Sequence, residues 1–74
     1  MSVIIEIDEP RLLPHLVAWL RAADCSAVPI SSHACRVMYR EAETLSQAMC
    51  ELSFSAKAWA MTHGDVAVQL RPPV

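Results

Sequence analysis

Apolar positions recur along this chain with two different periods. In VIIEI, residues 3–7, they alternate: Val3, Ile5 and Ile7 share one side of an extended segment, while Ile4 and Glu6 take the other. That pattern predicts a strand with one buried face. Asp8 follows as a candidate N-cap, and Pro10 suits the first turn of a helix. From 11 to 23 the period lengthens, and Leu12, Leu13, Leu16, Val17, Trp19, Leu20 and Ala23 gather on one helical face. Pro14 has no N–H, which is harmless only in a first turn, so the regular helix is expected from about Leu12 to Ala23 with Pro14 near its start. Asp24 ends it where glycine is usual, which predicts a left-handed backbone there.

Alternation returns in CSAVPISSHACRVMY, residues 25–39. Ser26, Val28 and Ile30 form one series, and Cys35, Val37 and Tyr39 another. Ser31–Ala34 between them is a tight turn joining two strands. With Ser32 and His33 at the turn, Cys35 faces Ile30, and Ala27 and Pro29 point to the open face of the sheet. Pro29 cannot donate to a ladder on both sides, which places its strand at a sheet edge. Residues 40–43 are a polar connection. Thr44 followed by Gln47 then reads as a capping box. Leu45, Ala48, Met49, Leu52, Ala56, Trp59 and Ala60 cover one face of a helix of about 19 residues, roughly 28 Å long. His63-Gly64 closes it, with glycine at the left-handed position and histidine near the negative helix end. A last strand runs from Asp65 to Arg71, with Val66, Val68 and Leu70 inward and Ala67 and Gln69 outward. Pro72-Pro73 stops it.

The order is strand, helix, strand, strand, helix, strand. It predicts an α+β domain spanning 1–74, a ferredoxin-like βαββαβ sandwich with a four-stranded antiparallel sheet and two helices packed on one face. Right-handed crossovers make the first and third strands central and leave the second and fourth at the edges.

Composition changes this picture in one respect. Seventy-four residues bury only about 60% of the surface an unfolded chain exposes, so a domain this small gains from a partner. Net charge is -2, and Lys57 stands alone beside five arginines that form no basic stripe, which argues against a nucleic-acid partner. The longest apolar run, LVAWL, is far short of the about 20 residues that span a bilayer. MSVIIEIDEP carries no basic leader and meets acid at Glu6, unlike a signal peptide. Three cysteines, an odd number, suit reduced cytoplasmic thiols better than a disulfide scaffold.

Candidate chemistry is thin. In the hairpin register above, the sulfurs of Cys25 and Cys35 lie about 15 Å apart, too far for a disulfide or a shared zinc. Cys35 reads as a small core residue. Cys25 follows a helix C-terminus and Asp24, which oppose a thiolate. His33 is a turn residue, His15 a solvated helix residue and His63 a cap. Asp8-Glu9, Glu41 and Glu43 sit at helix starts, where they balance the dipole. One glycine, at a helix end, leaves no phosphate loop. The first loop, IDEPRLL, lacks the Cys-x-x-Cys of heavy-metal domains, and the open sheet face carries no aromatics on its central strands for RNA bases.

Two apolar surfaces remain. One is the open sheet face, with Ile4, Met38 and Ala67, where Glu6 and Arg36 can pair across strands. The other is the outer side of the second helix, with Cys50, Phe54 and Met61. Together these six residues are the candidate interface.

The segments LVAWLRAADC and WAMTHGDVAVQL make the chain similar to short, uncharacterised bacterial ferredoxin-like proteins. Those show a helix, a cysteine or small residue, a hairpin, and a helix ending Trp-x-x-x-His-x-Gly before a final strand. Here that ending is Trp59, His63 and Gly64, with Gly64 directly after His63. The resemblance implies a fold and no activity.

The expectation is therefore a non-catalytic, cytoplasmic protein-interaction or self-association module. Its partner would be another protein or a second copy, without cofactor, metal, nucleic acid or membrane. A ligand-sensing regulatory domain is the alternative, and an enzyme using Cys25 and His33 ranks third.

Overall fold

A computed structural model describes residues 2–40 and 42–73. Glu41, expected among the acids at a helix start, lies outside them. The elements are β1 (Ser2–Ile7), a 3-10 turn (Pro10–Leu12), α1 (Leu13–Ala22), β2 (Ser26–Pro29), β3 (Ala34–Met38), α2 (Leu45–Met61) and β4 (Val68–Arg71). The protein is α+β, with a four-stranded antiparallel sheet in the order β2-β3-β1-β4. The two β-branched or thiol-bearing strands, β1 and β3, take the central places. Pro29 sits on an edge strand, where a missing N–H costs no ladder bond.

The core lies between one sheet face and the helices. Val3, Ile5, Ile7, Cys35 and Val37 supply the sheet side; Leu16, Leu20, Leu52, Ala56 and Trp59 supply the helix side. Val66, Val68 and Leu70 pack against its edge, half-buried as the alternation predicts.

Helix starts differ from expectation in one residue. Asp8 does not cap α1. Its Oδ1 accepts from the Ala67 N–H at 3.1 Å while its own N–H donates to the Ala67 carbonyl at 3.2 Å, so it ties the end of β1 to the entry of β4. The chain instead enters the helix through a 3-10 turn whose flanking Glu9 makes no side-chain cap. Pro14 explains this: its ring would clash with the Pro10 carbonyl if an α-helix began earlier, so regular winding starts at Leu13 and places Pro14 in the first turn. Thr44 does cap α2, accepting from the Gln47 N–H at 3.1 Å; Gln47 Oε1 in return accepts from the Glu43 N–H, one residue before the cap.

Both helices close the same way with different residues. After α1, Cys25 N–H reaches back to the Leu20 carbonyl at 3.0 Å, and Asp24 takes φ 64. After α2, Asp65 N–H reaches the Ala60 carbonyl at 2.9 Å, and Gly64 takes φ 78. These are Schellman closures, which need a left-handed residue one place before the last donor. Asp65 is left-handed as well, at φ 56. α2 spans 17 residues, slightly shorter than its periodicity suggests. His63 stacks on Trp59 with ring centroids 4.4 Å apart, and its Nδ1 lies 2.9 Å from the Trp59 carbonyl.

The hairpin register is the main correction. Pro29 faces Cys35 and Ala27 faces Val37, one residue away from the expected pairing of Ile30 with Cys35. Ile30 N–H donates to the Ala34 carbonyl at 2.9 Å, leaving Ser31-Ser32-His33 as a three-residue loop. A two-residue turn needs positive φ at its centre, which favours glycine or asparagine. Ser32 and His33 are neither, and neither has positive φ. A slip of one residue flips every side chain of the strand. Ala27 and Cys25 therefore face the core, and Val28 is turned outward, 54% exposed. β4 also begins later than expected, at Val68, because the Asp8–Ala67 bonds take the place of ladder pairs before it.

Candidate functional site

The outer face of α2 is built by arithmetic. Residues at i, i+4, i+7 and i+11 share a helical stripe. From residue 48 that spacing gives Ala48, Leu52, Ser55 and Trp59, of which Ala48, Leu52 and Trp59 are buried. From residue 50 it gives Cys50, Phe54, Lys57 and Met61, all exposed. Phe54 is 81% exposed and Met61 74%. An aromatic ring and a thioether thus stand in water on the same stripe, with the Cys50 thiol one turn before them and the Lys57 ammonium between.

The open sheet face is organised differently. Its middle row runs Val28, Arg36, Ile4, Arg71 across the four strands. Ile4, placed here as a contact residue, is only 4% exposed and lies outside the main core cluster. Its cross-strand neighbours are the long stems of Arg36 and Arg71, which can cover apolar surface while keeping their charges wet. Glu6 pairs with Arg71 instead of Arg36. The chain reaches this pair diagonally, since Glu6 stands opposite Gln69. Met38 and Ala67 are exposed, together with Val28 and Ile30, whose outward position follows from the shifted hairpin.

Cys25 and His33 do not converge. Cys25 precedes the first residue of β2, and His33 lies in the loop beyond its last, so the strand separates them. His33 is exposed and bonded to Ser32 Oγ at 3.1 Å. Cys35 and Cys50 are free thiols, the first buried and the second exposed. Burial pushes the Cys35 thiol up to about 11, since a thiolate there would lose its hydration. Among the described residues no group of three His, Cys, Asp or Glu side chains is placed to hold a metal ion, and no helix is long and apolar enough to cross a membrane.

Clefts among the described residues add to these surfaces. One of about 390 Å³ lies between α1 and the hairpin loop, lined by Pro10, Leu13, Pro14, Val17 and Pro29. A second holds His15 and His63, ring centroids 6.3 Å apart, with Asp8, Glu9 and Asp65. A third, of about 600 Å³, opens where α1 ends, among Trp19, Asp24, Cys25, Tyr39, Arg40 and Leu52. Arg21, in the lining of the cleft beside the hairpin loop, donates from Nε and Nη2 to the Ala27 carbonyl, at 3.1 and 2.9 Å, and so binds the last turn of α1 to β2.

The sequence pattern missed the cleft at the end of α1. Asp24 and Arg40 each lie two residues beyond the Ser26–Met38 pair. That relation is visible only once the hairpin register is right. No family model, no curated protein and no solved structure matches this chain.

Proposed function

We propose that this chain is a small binding module of ferredoxin-like build that acts by self-association, or by association with another protein, without catalysing a reaction. The single observation that carries the reading is the exposure of Phe54 and Met61 on one stripe of α2, beside Cys50. Large apolar side chains scattered singly are ordinary on a protein surface; two of them on one stripe of the longest element, with only Lys57 between, support a contact surface. The strand order, with β1 and β3 central, supports the ferredoxin-like build. A domain this small also has the most to gain from burying further apolar area in an interface.

Sedimentation velocity over a wide concentration range tests the reading. The wild type is expected to gain mass with concentration, and Phe54→Glu to stay monomeric with unchanged far-UV circular dichroism. A wild type that remains monomeric, and no less soluble than Phe54→Glu, removes the argument for self-association. A second reading, a ligand-sensing regulatory domain, is favoured by the cleft at the end of α1.

A further inference from the structure

The cleft at the end of α1 goes beyond association through α2, and uses none of the outer-stripe residues. Its volume, about 600 Å³, falls within the range of small-molecule sites. Trp19, Leu20 and Leu52 give it apolar lining, and Trp19 is 37% exposed there although it belongs to a helix whose other large apolar residues are buried. Among the described residues the lining also holds one carboxylate, Asp24, and one guanidinium, Arg40. These two opposite charges line one cleft and pair neither with each other nor with another described residue.

The backbone adds to this polarity. Asp24 follows the C-terminal end of α1, where the helix dipole favours a cation. Arg40 follows β3 and offers planar, paired donors suited to a carboxylate. A simple anion would meet Arg40 but be repelled by Asp24; a simple cation would suffer the converse. A molecule carrying both charges on a short polar head, with an apolar body, satisfies all three parts of the lining.

We propose that this cleft binds a small zwitterion with an apolar body, an aromatic or large aliphatic α-amino acid. Its carboxylate meets Arg40, its ammonium meets Asp24 and the α1 terminus, and its side chain lies against Trp19 and Leu52. The test is titration of the ¹⁵N-labelled protein with L-phenylalanine and L-leucine, beside phenylacetate, which lacks the ammonium, and 2-phenylethylamine, which lacks the carboxylate. Saturable shifts are expected at amides of residues 19–25, 39–40 and 52–55 with one or both amino acids. Each single-charge analogue should bind at least about tenfold more weakly, the loss of one charged hydrogen-bonded contact. Arg40→Gln should weaken amino-acid binding by a similar factor but not weaken 2-phenylethylamine, whose like charge it removes; Asp24→Asn, which keeps a residue tolerant of positive φ, should do the same with phenylacetate as the probe that is not weakened. Both side chains are exposed, so both variants should fold, as circular dichroism will show. The proposal fails if neither amino acid gives saturable shifts up to its solubility limit, if the analogues bind as tightly as L-phenylalanine, or if Arg40→Gln binds it unchanged.

Discussion

The outer face of α2 and the open face of the sheet are both turned to solvent, yet the apolar residues at their centres, Phe54 and Ile4, differ sharply in exposure. On the sheet, Ile4 is 4% exposed, flanked by Arg36 and Arg71 in a row that crosses all four strands. On α2, Phe54 has no such cover and is 81% exposed. The difference follows from geometry. A central strand has neighbours on both sides about 4.8 Å away, so long side chains on them can lie over it. A helix surface curves away from its neighbours, and only residues three or four positions distant can help. The centre of the sheet face therefore shields Ile4, while Val28 at its edge stays 54% exposed and Phe54 on α2 is more exposed still.

Substitutions sharpen this contrast, starting with the largest effect. Leu52→Ala, on the buried side of α2, should cost about 2–5 kcal/mol in urea unfolding, while Phe54→Ala, on the other side of that helix, should change monomer stability by less than about 0.5 kcal/mol. Equal losses at the two positions would mean that Phe54 is covered in the monomer. Ile4→Ala comes next. If the sheet face behaves as a small second core, it should cost about 2–4 kcal/mol despite facing solvent; a change near zero would show that the arginine stems do not shield it.

Cys35 gives a test by pH. Its thiol is raised in the folded state to about 11 from an ordinary value of 9.0. An acid whose folded value is raised stays protonated in the native state while the unfolded chain already ionises. Its contribution is thus fully present below pH 9 and is lost as pH rises from about 9 to 11, at up to about 1.4 kcal/mol per unit. Thermal unfolding at successive pH values should show this alkaline decline, and Cys35→Ala should flatten it. The exposed Cys50 should react with a thiol reagent in the native protein, whereas Cys35 should react only on unfolding. The smallest effect belongs to the Glu6–Arg71 pair, which is partly exposed and so worth about 0–1 kcal/mol. Glu6→Gln should barely move the unfolding midpoint, and salt should reduce what difference there is. A loss several times larger would mean that Arg71 holds the cover over Ile4 through this pair.

Several parts of this molecule were legible in the residues because they depend on local chemistry. The 3.6-residue period marked α1 and α2, and alternation marked β1 and β4. Thr44, Asp24 and Gly64 announced where helices start and stop, since capping and left-handed closure act within a few residues. Pro29 announced an edge strand because a missing donor is a property of proline itself. The candidate interface on α2 was legible for the same reason: Cys50, Phe54 and Met61 take their side of the helix from spacing alone.

Tertiary structure decided the rest. Both frames of β2 alternate equally well, and only the three-residue loop and the pairing to β3 chose the one that buries Ala27 and exposes Val28. Asp8 had a local role open to it as a cap, and a bond across 59 residues to Ala67 prevailed. Ile4 became buried through neighbours distant in the chain, and Asp24 and Arg40 came to line one cleft through the hairpin register. Periodicity fixes which side of an element is apolar, but the partner across a ladder or a cleft depends on where distant segments meet, which no local pattern encodes.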